Sequence, residues 1–262
     1  FARDERLTTD LFIKRLHQAA EPFYGVYYSV VPHWPYTDYG PEYDVSGGVA
    51  RWKFKYYNNL RLLDTLIEKI YNAAQERGIL DRTIFVLTGD HGEAFGQHEG
   101  NFLHSRASYN ENVKVPLIIH APFLLKPRQV LDYTSHADIL PTLLDLLQID
   151  YNPLLFQGES LQVGVPQRKY IFFYGNEDSM SAIDRGGQKT HYDFKTRTCT
   201  VYDLSTDPGE MNPGRCPPGH LAREAILYKK EHQMHLLTSY NSQARSGFHG
   251  KRHPALAELS RY

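Results

Sequence analysis

The sequence predicts an α/β fold, a mostly parallel sheet flanked by helices, with a smaller strand-rich subdomain at its C-terminal end. Three observations carry this. Strand-like and helix-like segments alternate up to about residue 164. From residue 165 the texture changes to short strands separated by Gly and Asp turns. An Asp–His pair also falls just past the end of a strand, where open α/β sheets place their ligands. The expected division is therefore 1–164, an α/β domain, and 165–262, a β-rich subdomain and tail.

The elements follow in order. Residues 4–20 read as a helix with a rough apolar stripe of Leu7, Leu11, Leu16 and Ala20, ended by Pro22. FYGVYYSVV at 23–31 is β-branched and aromatic, the mark of a buried strand. The three prolines of PHWPYTDYGPEY then force a loop. Residues 49–77 are a long helix, with Leu60, Leu63, Ile67, Ile70 and Ala74 recurring at helical steps and Gly78 at the C′ position. A strand at 83–88 breaks at Gly89, and VPLIIHAP (115–122) is a second strand of buried type. SHADILPTLLDLLQI (135–149) is a helix, provided that Pro141 lies near its first turn. RKYIFFYG, KTHYDFKTRT and CTVYDLS are the shorter strands, and one helix is expected around 219–238.

Composition narrows the function. With a net charge of −1 and Lys and Arg spread along the chain, there is no basic stripe and no nucleic-acid partner is expected. The 19 Tyr and 13 Phe read first as core filler, and second as surfaces suited to sugars or amphiphiles. No apolar run approaches the roughly 18 residues that span a bilayer. The opening FARDERLTTD enters directly into a helical pattern without Met, so a fragment or processed form is expected. Two cysteines, Cys199 and Cys216, cannot close a four-ligand structural zinc site. They form either one disulfide, which points to an oxidising compartment, or two unrelated thiols.

The strongest chemical signal is TGDHGE at 88–93. Asp90 and His91 at a strand's carboxyl end offer one oxygen and one imidazole nitrogen to a divalent cation. A capped turn accounts for the bare string as well. His33, clasped in PHWPY, and His104, in GNFLHS, sit in loops, where a histidine can act on an anionic oxyester or its leaving group, or can simply face solvent. His17, His98, His120, His220, His232, His235, His249 and His253 are read as surface residues.

Taken together, PHWPY, the long helix, TGDHGEAFGQHEG, FLHS…YNENVKVPLIIHAP, SHADILPTLLDLLQI, FQGESL and VYDLSTDPGEMNP resemble the sulfatases of the alkaline phosphatase superfamily. The likeness covers about residues 4–213 in the family's order. It implies an alkaline-phosphatase-like parallel sheet with an antiparallel C-terminal subdomain. It also implies Asp90 and His91 as metal ligands, and His33 and His104 as the residues that contact the transferred group or leaving oxygen. The implied cofactor is a divalent ion, calcium foremost, with manganese, magnesium or zinc as alternatives. The implied substrate is an anionic ester, sulfated or phosphorylated, on a small molecule or glycan, met in an extracytoplasmic compartment.

One departure matters. The family's nucleophile, a formylglycine from a C/S-x-P-x-R motif, and its other metal ligands lie upstream of the matching region. Both cysteines lie far downstream, and Thr8 and Thr9 fall on a helix. The resemblance therefore implies a metal-dependent ester hydrolase that needs an N-terminal segment or chain, so that this chain alone is silent. Two rivals stand beside it: a phosphoethanolamine or phosphoglycerol transferase at a membrane surface, and an inactive binding or regulatory module of the same fold.

Overall fold

The computed structural model describes residues 4–45, 47, 52–104, 107–162, 164, 167–176 and 178–245. The expectations for residues 49–51, His249 and His253, and for the side chain of His235, fall outside what is described. The chain divides into two compact units, Phe1–His104 with Lys114–Val130, and Ser105–Val113 with Leu131–Tyr262.

In the first unit, α1 (Glu5–Gln18) is capped by Asp4, whose carboxylate accepts from Arg6 N. Its buried residues are Glu5, Thr9 and Leu16, while Leu7 and Leu11 are exposed, contrary to the expected stripe. The reason is polar. Glu5 accepts from the Tyr27 hydroxyl (3.0 Å) and from Val30 N (3.2 Å), and the Thr9 hydroxyl meets Tyr27 Oη at 2.8 Å. The first turns of α1 therefore hold the chain at 27–30, while Leu16, as expected, packs into an apolar cluster with Ala73, Ala74 and Ile79.

The buried strand expected at 23–31 is absent. The segment has no strand pairing, and Tyr24, Val26, Tyr28 and Val30 are exposed. Its polar groups are met by side chains: Val30 N by Glu5, and the Val31 carbonyl by Asn59 Nδ2 at 2.7 Å. α2 (Trp52–Glu76) buries Asn59, Leu62, Leu66, Ile70, Ala73 and Ala74. Ile70 and Ala74 are buried as expected and Leu63 packs on the cluster of Val31, Leu62 and Leu66, but Leu60 is exposed. Gly78, at φ +71°, ends the helix where expected, and the Ile79 amide returns to the Ala74 carbonyl.

β1 (Phe85–Thr88) pairs with β4 (Leu117–His120), and the pair is antiparallel. Between them lie only the hairpin of β2 (Ala94–Phe95) and β3 (Phe102–Leu103) and the one-turn α3 (Asn110–Val113). No crossover helix of the kind that makes neighbouring strands parallel separates them. β4 is half-buried, with Ile118 exposed, and not the fully buried strand expected.

In the second unit, a 3₁₀ turn (His136–Asp138) leads into α4 (Ile139–Leu146), so Pro141 falls in the first turn as required. Asp138 is fully buried and accepts from the amides of Ser135 (2.8 Å) and Glu159 (2.9 Å) and from both terminal nitrogens of Arg168. Then comes a five-stranded antiparallel meander: β5 (Tyr170–Asn176), β6 (Ser179–Asp184), β7 (Gln188–Asp193), β8 (Thr198–Asp203) and β9 (Gly214–Arg215). Met180, Ala182 and Tyr192 pack under Ile226 of α5 (Leu221–Arg245), and Ile171, Ile183, Tyr202 and Leu204 form a separate cluster. The antiparallel subdomain is therefore as expected, with β6 and β9 unforeseen.

Two devices fasten this sheet. Lys189 and Glu210 form a buried ion pair at 2.8 Å, and burial holds the lysine below its usual pKa despite the carboxylate. Cys199 and Cys216, 17 residues apart, are joined in a disulfide. Of the histidines read as surface residues, His17 and His232 are exposed. His98, His120 and His220 are half-buried, with His120 against the Tyr71 ring and His220 Nε2 2.8 Å from Thr190 Oγ1. Among the described residues, no helix is long and apolar enough to cross a membrane.

Candidate active site

β1 ends at Thr88, and Gly89 lets the chain turn against Val115, whose Cγ1 would lie 3.3 Å from an added Cβ. Asp90 and His91 follow at once. The Asp90 carboxylate accepts from its neighbour's amide (3.0 Å, His91 N) and from the Tyr28 hydroxyl (3.3 Å). The negative charge of Asp90 holds the Tyr28 phenol above its ordinary pKa.

His91 Nδ1 lies 2.9 Å from the Gly92 carbonyl oxygen. A carbonyl only accepts, so Nδ1 carries a proton, and Nε2 is the ring nitrogen turned to Asp90 Oδ2, 3.6 Å away. His33 is set in the same way, its Nδ1 2.6 Å from the Trp34 carbonyl.

The four residues expected from sequence converge. The His33 and His104 rings lie 5.5 Å apart, those of His104 and His91 stack at 4.0 Å, and His91 adjoins Asp90. The structure adds Glu93. Ligand atoms of His91, Glu93 and His104 lie within 4.8 Å of one another. His104 Nδ1 is buried with no hydrogen-bond partner, 3.5 Å from Glu93 Oε2. The other Glu93 oxygen accepts from the Tyr36 hydroxyl at 2.7 Å. Burial, and then this bond to Glu93, push the Tyr36 phenol far above its ordinary pKa.

An orphaned imidazole nitrogen facing a buried carboxylate, with a second imidazole beside it, is a donor set that fits a divalent cation. Asp90, exposed and with Oδ2 3.6 Å from His91 Nε2, adjoins this set. Two non-glycine residues at positive φ, Tyr36 (57°) and Leu103 (64°), flank the site. Such backbone costs on the order of 1–3 kcal/mol each and tends to mark functional sites. Glu93 was visible two residues after His91 in TGDHGE. Tyr28 and Tyr36 carried no signal, because their acidic partners lie 62 and 57 residues away.

Comparison with known proteins gives the family. The family model "Sulfatase" matches residues 2–149. Arylsulfatase K of Gallus gallus is 29% identical over 62% of this chain and 33% of its own length. Lipoteichoic acid synthase 2 of Bacillus subtilis is 26% identical over 69% of this chain and 29% of its own. The crystal structure of the PsFucS1 sulfatase from Pseudoalteromonas sp. superposes with a TM-score of 0.58 over 87% of this chain and 52% of that one. At 16% identity that likeness shows a shared fold and nothing finer. The chain spans about a third of the length of the curated relatives it matches.

Proposed function

The chain belongs to the sulfatase family, and on that premise we propose that it contributes to a metal-dependent hydrolase of sulfuric or phosphoric esters. The observation that carries the proposal is the convergence of His33, Asp90, His91, Glu93 and His104. His91 and Glu93 would hold the ion, with Asp90 at its edge and His104 within ligand reach. When bound, a divalent cation would neutralise the anionic group of the ester. His91, its Nδ1 proton given to Gly92 O, presents the ring edge a ligand needs. Tyr36 fixes Glu93 by its hydrogen bond. The His33 and His104 rings, 5.5 Å apart, are the candidates to hold the reacting group or protonate the leaving oxygen.

Two nitrogens and a carboxylate are the donors that zinc and manganese take. Calcium, the ion the sequence favoured, wants six to eight oxygens, which further groups would have to supply.

On this reading residues 1–164 are part of the catalytic α/β domain and 165–262 its C-terminal subdomain and tail. A segment outside this chain brings the nucleophile and the strands that complete a mostly parallel sheet. The uncovered Tyr24, Val26, Tyr28 and Val30 support that requirement. The disulfide supports an extracytoplasmic location. The match to lipoteichoic acid synthase 2 favours a second reading, transfer of a phosphoglycerol group. The test is elemental analysis of the protein after incubation with calcium, manganese, zinc and magnesium, followed by assay on aryl sulfate and aryl phosphate with and without the N-terminal segment of a family member. No bound metal overturns the reading. Turnover by the chain alone shows the nucleophile to be within it.

A further inference from the structure

An aromatic surface adjoins this site, and the hydrolase reading gives it no role. Tyr36, whose hydroxyl binds Glu93, is buried and stacks on Trp52 at 5.9 Å. Trp52 packs against Phe95 (4.9 Å) and Phe102 (5.9 Å). Phe95 and Phe102 are opposed across the hairpin, and Gly96, at φ +82°, is required there because an added Cβ would lie 2.8 Å from the Phe102 ring. The hairpin is thus built to seat that ring. Yet Trp52 and Phe102 stay 38% and 46% exposed. Lys53 adds a cation over the Phe95 ring, at 5.6 Å.

We propose, resting on the metal-site reading above, that Trp52, Phe102 and Lys53 form a subsite for a sugar ring that carries a second anionic group. Large rings held rigidly at the surface beside a polar site mark a ligand contact. The Trp52 and Phe102 rings are each covered in part and leave the rest to a ligand. An aryl group, apolar on both faces, gains most from a closed slot. A pyranose needs only its apolar face covered, because its hydroxyls stay solvated at the rim. Lys53 selects a charged substituent, a carboxylate or another sulfate, on that ring.

The chain has two tryptophans, so Trp34→Phe leaves Trp52 as the single fluorescent reporter. The full-length Trp34→Phe chain is titrated, in chelator, with a disaccharide bearing a carboxylate and a sulfate, with its uncharged parent, and with phenyl sulfate. The charged disaccharide gives a saturable change in Trp52 emission and the other two bind more weakly. Lys53→Gln lowers the affinity about threefold to fivefold at low salt, and Phe102→Ala abolishes the response. Should Phe102→Ala not fold by circular dichroism, the exposed Lys53→Gln change carries the test. An unresponsive Trp52, phenyl sulfate binding as well as the disaccharide, or an unchanged Lys53→Gln variant overturns the proposal. The metal reading fails on cation content and the subsite fails on Trp52 emission, so the two failures are distinct.

Discussion

The imidazoles of His91 and His104 lie face to face, their centroids 4.0 Å apart and their planes at 21°, although 13 residues separate them in the chain. The β2–β3 hairpin makes the meeting possible: Ala94 pairs with Leu103, so the chain entering β2 and the chain leaving β3 lie side by side. This stack sets the orientation of both rings, and most of the site's testable behaviour follows from it.

Metal content should track Glu93. Glu93→Gln keeps an oxygen for the Tyr36 hydroxyl but loses the charge, so folding should survive while the bound ion is lost. Tyr36→Phe removes only the supporting hydrogen bond and should weaken the metal by about 10–100-fold. Isothermal titration with zinc or manganese measures both. Unchanged affinity in Glu93→Gln removes that residue from the site.

Asp90→Ala and His104→Ala separate the roles of their residues. If Asp90 holds the ion from the edge, its loss lowers occupancy without unfolding. His104→Ala that leaves metal content intact assigns His104 to the reacting group, and loss of metal makes it a ligand. Elemental analysis reads both.

His33 is exposed, so His33→Ala should change folding stability by about 0.5 kcal/mol or less. In the complete enzyme it should lower turnover by roughly 10²-fold, the scale of a lost acid or base. A lowered melting temperature with full turnover contradicts the assignment.

Stability should fall with acid through His191. This ring faces the Ser108 and Ser181 hydroxyls, and burial, then the Lys189 charge, depress its pKa, with the Asp193 charge opposing. A base whose folded pKa lies below its unfolded value gives stability that is complete above about pH 6.5 and is lost as pH falls towards the folded value. His191→Gln should flatten that slope in denaturant titrations between pH 7 and 5. An identical slope excludes His191 as its source.

Two fasteners of the C-terminal sheet should be separable. Lys189→Ala removes the lysine charge from a buried carboxylate and should cost about 3 kcal/mol or more, whereas Lys189→Met with Glu210→Leu should recover much of it. Reduction of Cys199–Cys216, which closes a 17-residue separation, should cost on the order of 3 kcal/mol in the chain-entropy account. Denaturant melts with and without reductant give the second value. Two titratable thiols in unreduced protein contradict the bond.

The site was legible where chemistry is local. Asp90, His91, His33 and His104 sit in short turns whose residue types announce them, and Gly78 and Pro141 carry backbone rules that hold wherever they occur. What failed depends on partners elsewhere in the chain. Leu7 and Leu11 look like a core stripe until Glu5 and Thr9 are seen to bind Tyr27 and Val30. FYGVYYSVV has strand composition, but a strand needs a neighbour, and here side chains take its backbone groups. The parallel reading of 83–88 and 115–122 came from alternation alone, which does not reveal that a hairpin and a single helical turn join them.

Asp138 shows what a single buried carboxylate does for a stretch of chain poor in regular structure. Its oxygens take the amides of Ser135 and Glu159 together with the Arg168 guanidinium. These two amides therefore share one acceptor, and neither can be released to solvent without disturbing the other. In hydrogen–deuterium exchange they should open as one event with one rate, slowed together as a foldon is, although they lie on opposite sides of α4 in the chain. The loop between α4 and β5 then behaves as a cooperative part of the subdomain and not as a tether.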